Sequence, residues 1–245
     1  MSNGADSNTV FERFAKLLLA IGTMVVEGKR KAEEVADWLQ VVLVRPDFHT
    51  LLTAPREART DTTPEGGWAK EWAAFYQEVF GLTVDFAGIA ISEAKPGFGW
   101  VVMVPPGLTL NRVWAACRDQ FPCYSAYGDD LDKAVQTNDR QATTAYAQRF
   151  RNRVEADEEL KNLSATDLGK GKVQGITLLE RILLELWYFW KTGGGHLDLV
   201  NWTLCAGSRG SDGGVPSASC CGYRFQVLSC LPDSAGDSFR TRAAV

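Results

Sequence analysis

The sequence predicts an α+β protein in which a helical N-terminal segment precedes a larger mixed domain. Three observations predict it. Apolar residues recur at three- and four-residue spacing near the N-terminus, short apolar runs bounded by turn residues follow, and a stretch rich in Pro, Thr, Gly and charge separates the two patterns.

Residues 9–27 read as an amphipathic helix: Thr9 and Glu12 have capping-box spacing, and Val10, Phe14, Leu17, Leu18, Ile21 and Val25 share one face. A second helix, 31–44, gathers Ala32, Val35, Trp38, Leu39 and Val42 and ends before Pro46. The pair forms an expected helical N-terminal domain, 1–55, whose hairpin is suited to docking a partner or to self-association through Phe14, Trp38 and Val42. The stretch 54–67, APREARTDTTPEGG, has no periodicity that could bury a face, so a linker is expected at 56–67.

Beyond it, Trp68 to Phe80 has helical spacing, and GFGWVVMV at 97–104 reads as a buried strand stopped by Pro105 and Pro106. Leu108 to Cys117 reads as a short helix with Thr109 as N-cap. Asp129, Asp130 and Asp132 lie close together but lack the spacing and glycine of a dedicated calcium loop. TLLERILLELWYFW at 177–190 is the strongest helix, apolar around so much of its circumference that burial on more than one side is expected. Only Glu180, Arg181 and Glu185 are left to face water. His196 follows its Gly-rich stop and reads as a hydrogen-bonded structural histidine.

Composition narrows the function classes. A formal charge of -4 supplies no basic field for a phosphate backbone, so no nucleic-acid partner is expected. The longest apolar stretch, LLLAIGTMVV at 17–26, is far short of the roughly 20 residues a bilayer needs, so no membrane span is expected. Charges of both signs precede it and no small-residue cleavage site follows, which favours a cytoplasmic protein. The chain shows no export signal, so its six cysteines are expected to be reduced thiols, and none forms a CxxC; no metal and no cofactor are expected. No nucleophile elbow, HExxH or phosphate loop is present, and no enzymatic activity is expected.

The C-terminal segment is compositionally unlike the rest. From Thr203 to Val245 there is no Lys, Glu, Met or Trp, whereas the first 202 residues contain 35 of them. By proportion about seven would be expected. Codons restricted to a pyrimidine in the third position cannot encode Lys, Glu, Gln, Met or Trp, and Gln226 is the single exception in the segment. Turn-forming GSRGSDGGVP and terminal FRTRAAV flank ASCCGYRFQVLSCLPDSAGDS, in which only Phe225 and Val227 alternate as a buried strand would.

The run LCAGSRGSDGGVP, a short hairpin, a Pro-containing turn and the terminal F-R-x-R-x-x-V are similar to the variable proteins of diversity-generating retroelements. TLLERILLELWYFWKTGG and LDLVNWTLCAGSR look like the scaffold preceding such a region. The start AGSR departs from the family's frequent G-G-S-W. The resemblance covers about 176–245. It implies a C-type lectin-like domain over 68–245 with small antiparallel sheets, and a variable region at about 207–245 rewritten at template adenines. It further implies a bacterial display protein that binds a protein or other macromolecular ligand. The positions expected to face that ligand are Gly210, Gly214, Ser217, Ser219, Cys220, Cys221, Tyr223, Leu228, Ser229, Cys230, Leu231, Asp233, Ser234, Gly236 and Asp237. Phe225, Val227 and Phe239 are expected to point inward. Of the cysteines, Cys220, Cys221 and Cys230 are expected to be reactive and Cys117 protected. The alternatives are an enzyme similar to the formylglycine-generating enzymes, which share the lectin-like fold, and a non-variable interaction adaptor.

Overall fold

The computed structural model describes residues 67–220 and 224–245, together with residues 19, 22, 23, 25, 26 and 28. The expected N-terminal hairpin and the linker therefore lie outside the described residues, apart from those few positions. The chain divides into two compact units, Met1–Glu57 and Ala58–Val245. The second unit is a mixed α/β structure, with five α-helices and three small sheets among residues 67–245.

Helix α1, Trp68–Phe80, buries Trp68, Trp72, Phe75 and Tyr76 and stops at Gly81, whose φ of 64° is the left-handed cap that glycine adopts without strain. A buried indole or phenol needs an acceptor for its polar hydrogen. Trp72 donates to the carbonyl of Val101 at 2.7 Å and Tyr76 to that of Met103 at 2.9 Å, which pins α1 to strand β1, Trp100–Val104. All five residues of β1 are buried, and it pairs antiparallel with β4, Tyr146–Phe150.

Helix α2, Leu110–Gln120, begins at Thr109, whose hydroxyl accepts from the Arg112 amide. Two of the three clustered aspartates cap helices. Asp130 caps the short helix α3, Leu131–Ala134, while Asp132 accepts from the Leu110 and Asn111 amides and Asp129 pairs with Arg118 at the surface. Helix α4, Ala165–Lys170, is capped by Ser164.

Helix α5, Leu178–Thr192, is the centre of the core. Thr177 and Glu180 complete a capping box at its start, and Trp187 stacks on Trp72 with centroids 5.7 Å apart. It packs against α2, β1 and β7, so it is covered on several sides. One expectation is overturned here: Glu180, Arg181 and Glu185 do not face water but are fully buried. Glu180 meets Arg140 and Arg181 meets Asp198, each brought in by another segment, while Glu185 pairs with Arg181 one turn back and bonds the His196 ring, so the buried charges are compensated.

The largest sheet has five strands in the order β2–β8–β7–β5–β9. Its members are β2 (Cys123–Ser125), β5 (Trp202–Leu204), β7 (Val215–Ser219), β8 (Phe225–Cys230) and β9 (Phe239–Arg240). The β2–β8 and β5–β9 pairs are parallel, and β8–β7 and β7–β5 are antiparallel. A third sheet pairs β3, Thr137–Asn138, with β6, Ser208–Arg209. The C-terminal residues are tied back to the first sheet by paired bonds between Val245 and Arg149. Among the described residues no helix is long and apolar enough to cross a membrane.

Candidate functional site

The segment singled out by its composition supplies β7, β8, β9 and most of β5 in the five-stranded sheet, and a buried ion network fixes its position. Asp198 lies in the loop between α5 and β5 with φ of 53°, a left-handed conformation uncommon outside glycine and tolerated best by Asp and Asn. Both carboxylate oxygens are used. Arg181 donates to Oδ2 from Nε at 3.0 Å, Arg242 donates to Oδ1 at 2.7 Å, and the Thr203 hydroxyl also bonds Oδ2. Burial would lower the pKa of Arg181, but the Asp198 and Glu185 carboxylates hold it above its ordinary value, so it stays charged.

This network reaches the sheet directly. The backbone carbonyl of Asp198 accepts from the amide of Cys220, where the chain leaves β7, and the Arg181 guanidinium sits 5.3 Å over the Phe225 ring. Arg242 also donates to the carbonyls of Arg153 and Val154, at 2.8 and 2.7 Å. Arg240 pairs with Glu158 at 2.6 Å. The terminal F-R-x-R run is thus a pair of ionic anchors rather than a simple strand end.

The register separates two faces of the sheet. Phe225, Val227 and Ala218 are fully buried toward the helical core, and Thr203 shares their face. On the other face one row runs Tyr124, Gln226, Ser219, and the next runs Leu228, Ser217, Leu204. Tyr124 is 43 % exposed, and Arg224 lies 4.7 Å from its ring.

The fifteen expected ligand positions divide accordingly. Gly210, Gly214, Ser217, Ser219 and Cys220 are buried, so the surface open to a ligand is narrower than the sequence suggested. Gly210 and Gly214 close the turn between β6 and β7, with the Gly210 amide donating to the Gly214 carbonyl at 2.8 Å. Ser217 lies against Cys230, 3.3 Å from its sulfur, and Cys220 is 2 % exposed, which overturns its expected ready reactivity. Cys221 and Tyr223 lie outside the described residues. Leu228, Cys230, Ser234 and Gly236 are half-buried, and Ser229, Leu231, Asp233 and Asp237 are exposed, Leu231 by 74 %. Of the three expected inward residues, Phe225 and Val227 are fully buried and Phe239 is half-buried.

The exposed loop is held at several points. Ser234 donates to the Leu231 carbonyl, the Thr166 amide of α4 to that of Pro232, and Phe239 to that of Gly236. Two features escaped sequence reasoning. Tyr124 joins the face only because β2 adds in parallel to β8, about a hundred residues away, a pairing no local pattern signals. Leu199 and Val200, 50 % and 73 % exposed, sit on a loop whose amides at 199, 200 and 201 all bond the Glu155 carboxylate.

Four of the thiols are held in the protonated form. Burial raises the pKa of Cys117 well above its ordinary value, pushes Cys123 up to about 12, and raises Cys205 and Cys230. Comparisons with protein-family models, with curated proteins and with solved structures find no match for this chain.

Proposed function

We propose that residues 68–245 form a C-type lectin-like recognition domain of a retroelement-diversified display protein, whose ligand is a protein or other macromolecule. The observation that carries the reading is a coincidence of two boundaries. The segment with the restricted codon set is the one whose strands lie over the Arg181–Asp198–Arg242 network, and its positions at 228–237 reach the surface. A scaffold anchored from below leaves such positions free to change, because exposed substitutions away from special features cost within about half a kcal/mol.

The surface set combines Tyr124 and Leu228 on one face of the sheet with Ser229 on the opposite face and with Leu231, Asp233 and Asp237 in the loop after β8. That mixture of aromatic, aliphatic and small hydrogen-bonding groups suits a protein surface better than a phosphate or a sugar. A binding role is supported over a thiol-based catalytic one by the raised pKa of Cys117, Cys123, Cys205 and Cys230, which keeps these sulfurs in the weakly nucleophilic thiol form.

Sequencing the DNA around the gene tests the proposal. The expected result is a near-identical template repeat whose differences from the codons for about 207–245 fall at adenines, beside a reverse-transcriptase gene. A locus without the repeat overturns the diversification reading.

A further inference from the structure

We propose that Glu185, His196 and Cys220 form a binding site for a borderline-soft divalent cation of the zinc class. One donor atom from each residue lies within 4.8 Å of the others. The three come from separate parts of the fold: α5, the loop after it, and the residue following β7. The set offers a carboxylate oxygen, an imidazole nitrogen and a sulfur, the mixture that zinc accepts and that the harder calcium and magnesium ions do not.

Glu185 is fully buried and Cys220 is 2 % exposed, while the His196 side chain keeps 23 % of its surface open. The ion therefore has a path in along the histidine edge, where a water can complete the coordination. The imidazole packs against the touching pair Phe121 and Phe189, with centroids 5.0 and 5.1 Å away, so its direction is restricted before an ion arrives. Tetrahedral donors about 2.0–2.3 Å from zinc stand about 3.3–3.8 Å apart. The His196–Glu185 contact of 2.8 Å opens slightly to admit the ion, and the three donors, already within 4.8 Å of one another, need only a small adjustment.

Binding releases the Cys220 thiol proton to solvent, so the buried cluster gains one net positive charge. Glu185 presents Oε1 to the ion while its Oε2 keeps the Arg181 bond at 2.7 Å, and Arg181 also keeps Asp198 through Nε at 3.0 Å and Nη2 at 2.8 Å. Filling the site would tie the end of β7 to α5 and so fix the point from which the chain enters the recognition hairpin. The inference rests on side-chain placement alone and stands or falls apart from the display reading.

The test is titration of the chelator-treated full chain with cobalt(II), followed by displacement with zinc(II). One equivalent should give a thiolate-to-cobalt charge-transfer band, and zinc should abolish it while raising the melting temperature. Cys220→Ser should remove the band and His196→Asn should weaken binding about tenfold or more, whereas Cys230→Ser should leave both unchanged. His196 is partly exposed, so its variant keeps the test valid if Cys220→Ser folds poorly. Absence of a band in the folded wild-type chain, its persistence in Cys220→Ser, or unaltered affinity in His196→Asn overturns the proposal.

Discussion

Asp198 joins the helical core to strands β5 and β7, receiving two buried guanidiniums and a hydroxyl on its carboxylate while its carbonyl holds the Cys220 amide. Removing one member of a buried charge group leaves the others uncompensated, at a cost of about 3–5 kcal/mol. Asp198→Asn tolerates the left-handed backbone as well as aspartate does, so it isolates the charge from the conformation. Urea denaturation of Asp198→Asn should therefore show a loss of several kcal/mol, and a loss below about 1 kcal/mol would mean that the network is not what holds this loop. At the edge of the same surface, burial pushes the Tyr127 phenol up to about 12 from an ordinary 10.0, with the Ser229 hydroxyl acting against that rise. The raised value means the folded state favours the neutral phenol. The contribution is complete below about pH 10 and disappears as pH rises toward 12. Tyr127→Phe should flatten the alkaline part of the stability profile relative to wild type, measured by denaturation at stepped pH.

Among the elements, α5 was the most legible in sequence and also the most misleading. Its apolar periodicity, the Thr177 cap and the glycine stop all predict the helix that forms. Thr177→Ala should cost about 1 kcal/mol, read from the denaturation midpoint. The same pattern assigns Glu180, Arg181 and Glu185 to solvent, because a helical period reports which positions share a face but not what arrives to pair with them. Their partners Arg140, Asp198 and His196 lie on other segments, 40, 17 and 11 residues away. Strand β7 was hidden for a related reason: Val-Pro-Ser-Ala-Ser shows no alternation, since small residues on both faces are buried. The turn before it was legible through its glycines. Ahead of β6, a Cβ at Gly207 would meet the Gly175 carbonyl oxygen at 2.7 Å, a backbone atom that cannot swing aside. Gly207→Ala should destabilise by about 1–3 kcal/mol, checked by thermal melting.

For the whole molecule, the sequence predicted an α+β chain and pointed to the segment that carries the exposed positions, and the mixed α/β architecture agrees at that level. The sequence left unresolved which of the fifteen positions reach the surface. Ser217, Ser219 and Cys220 resemble Ser229 and Cys230 in type, and only the pairing of β7 between β5 and β8 sends the first group inside. The account divides the molecule into a buried ionic and aromatic scaffold that carries the stability and an outer set, 228–237, that carries little. Urea denaturation of one variant with Leu228, Ser229, Leu231, Asp233 and Asp237 all replaced by unrelated small residues tests this division most directly. The five changes should together shift unfolding by less than about 2.5 kcal/mol, with an unchanged slope against denaturant. A chain that fails to fold, or a loss as large as that of Asp198→Asn, would contradict it.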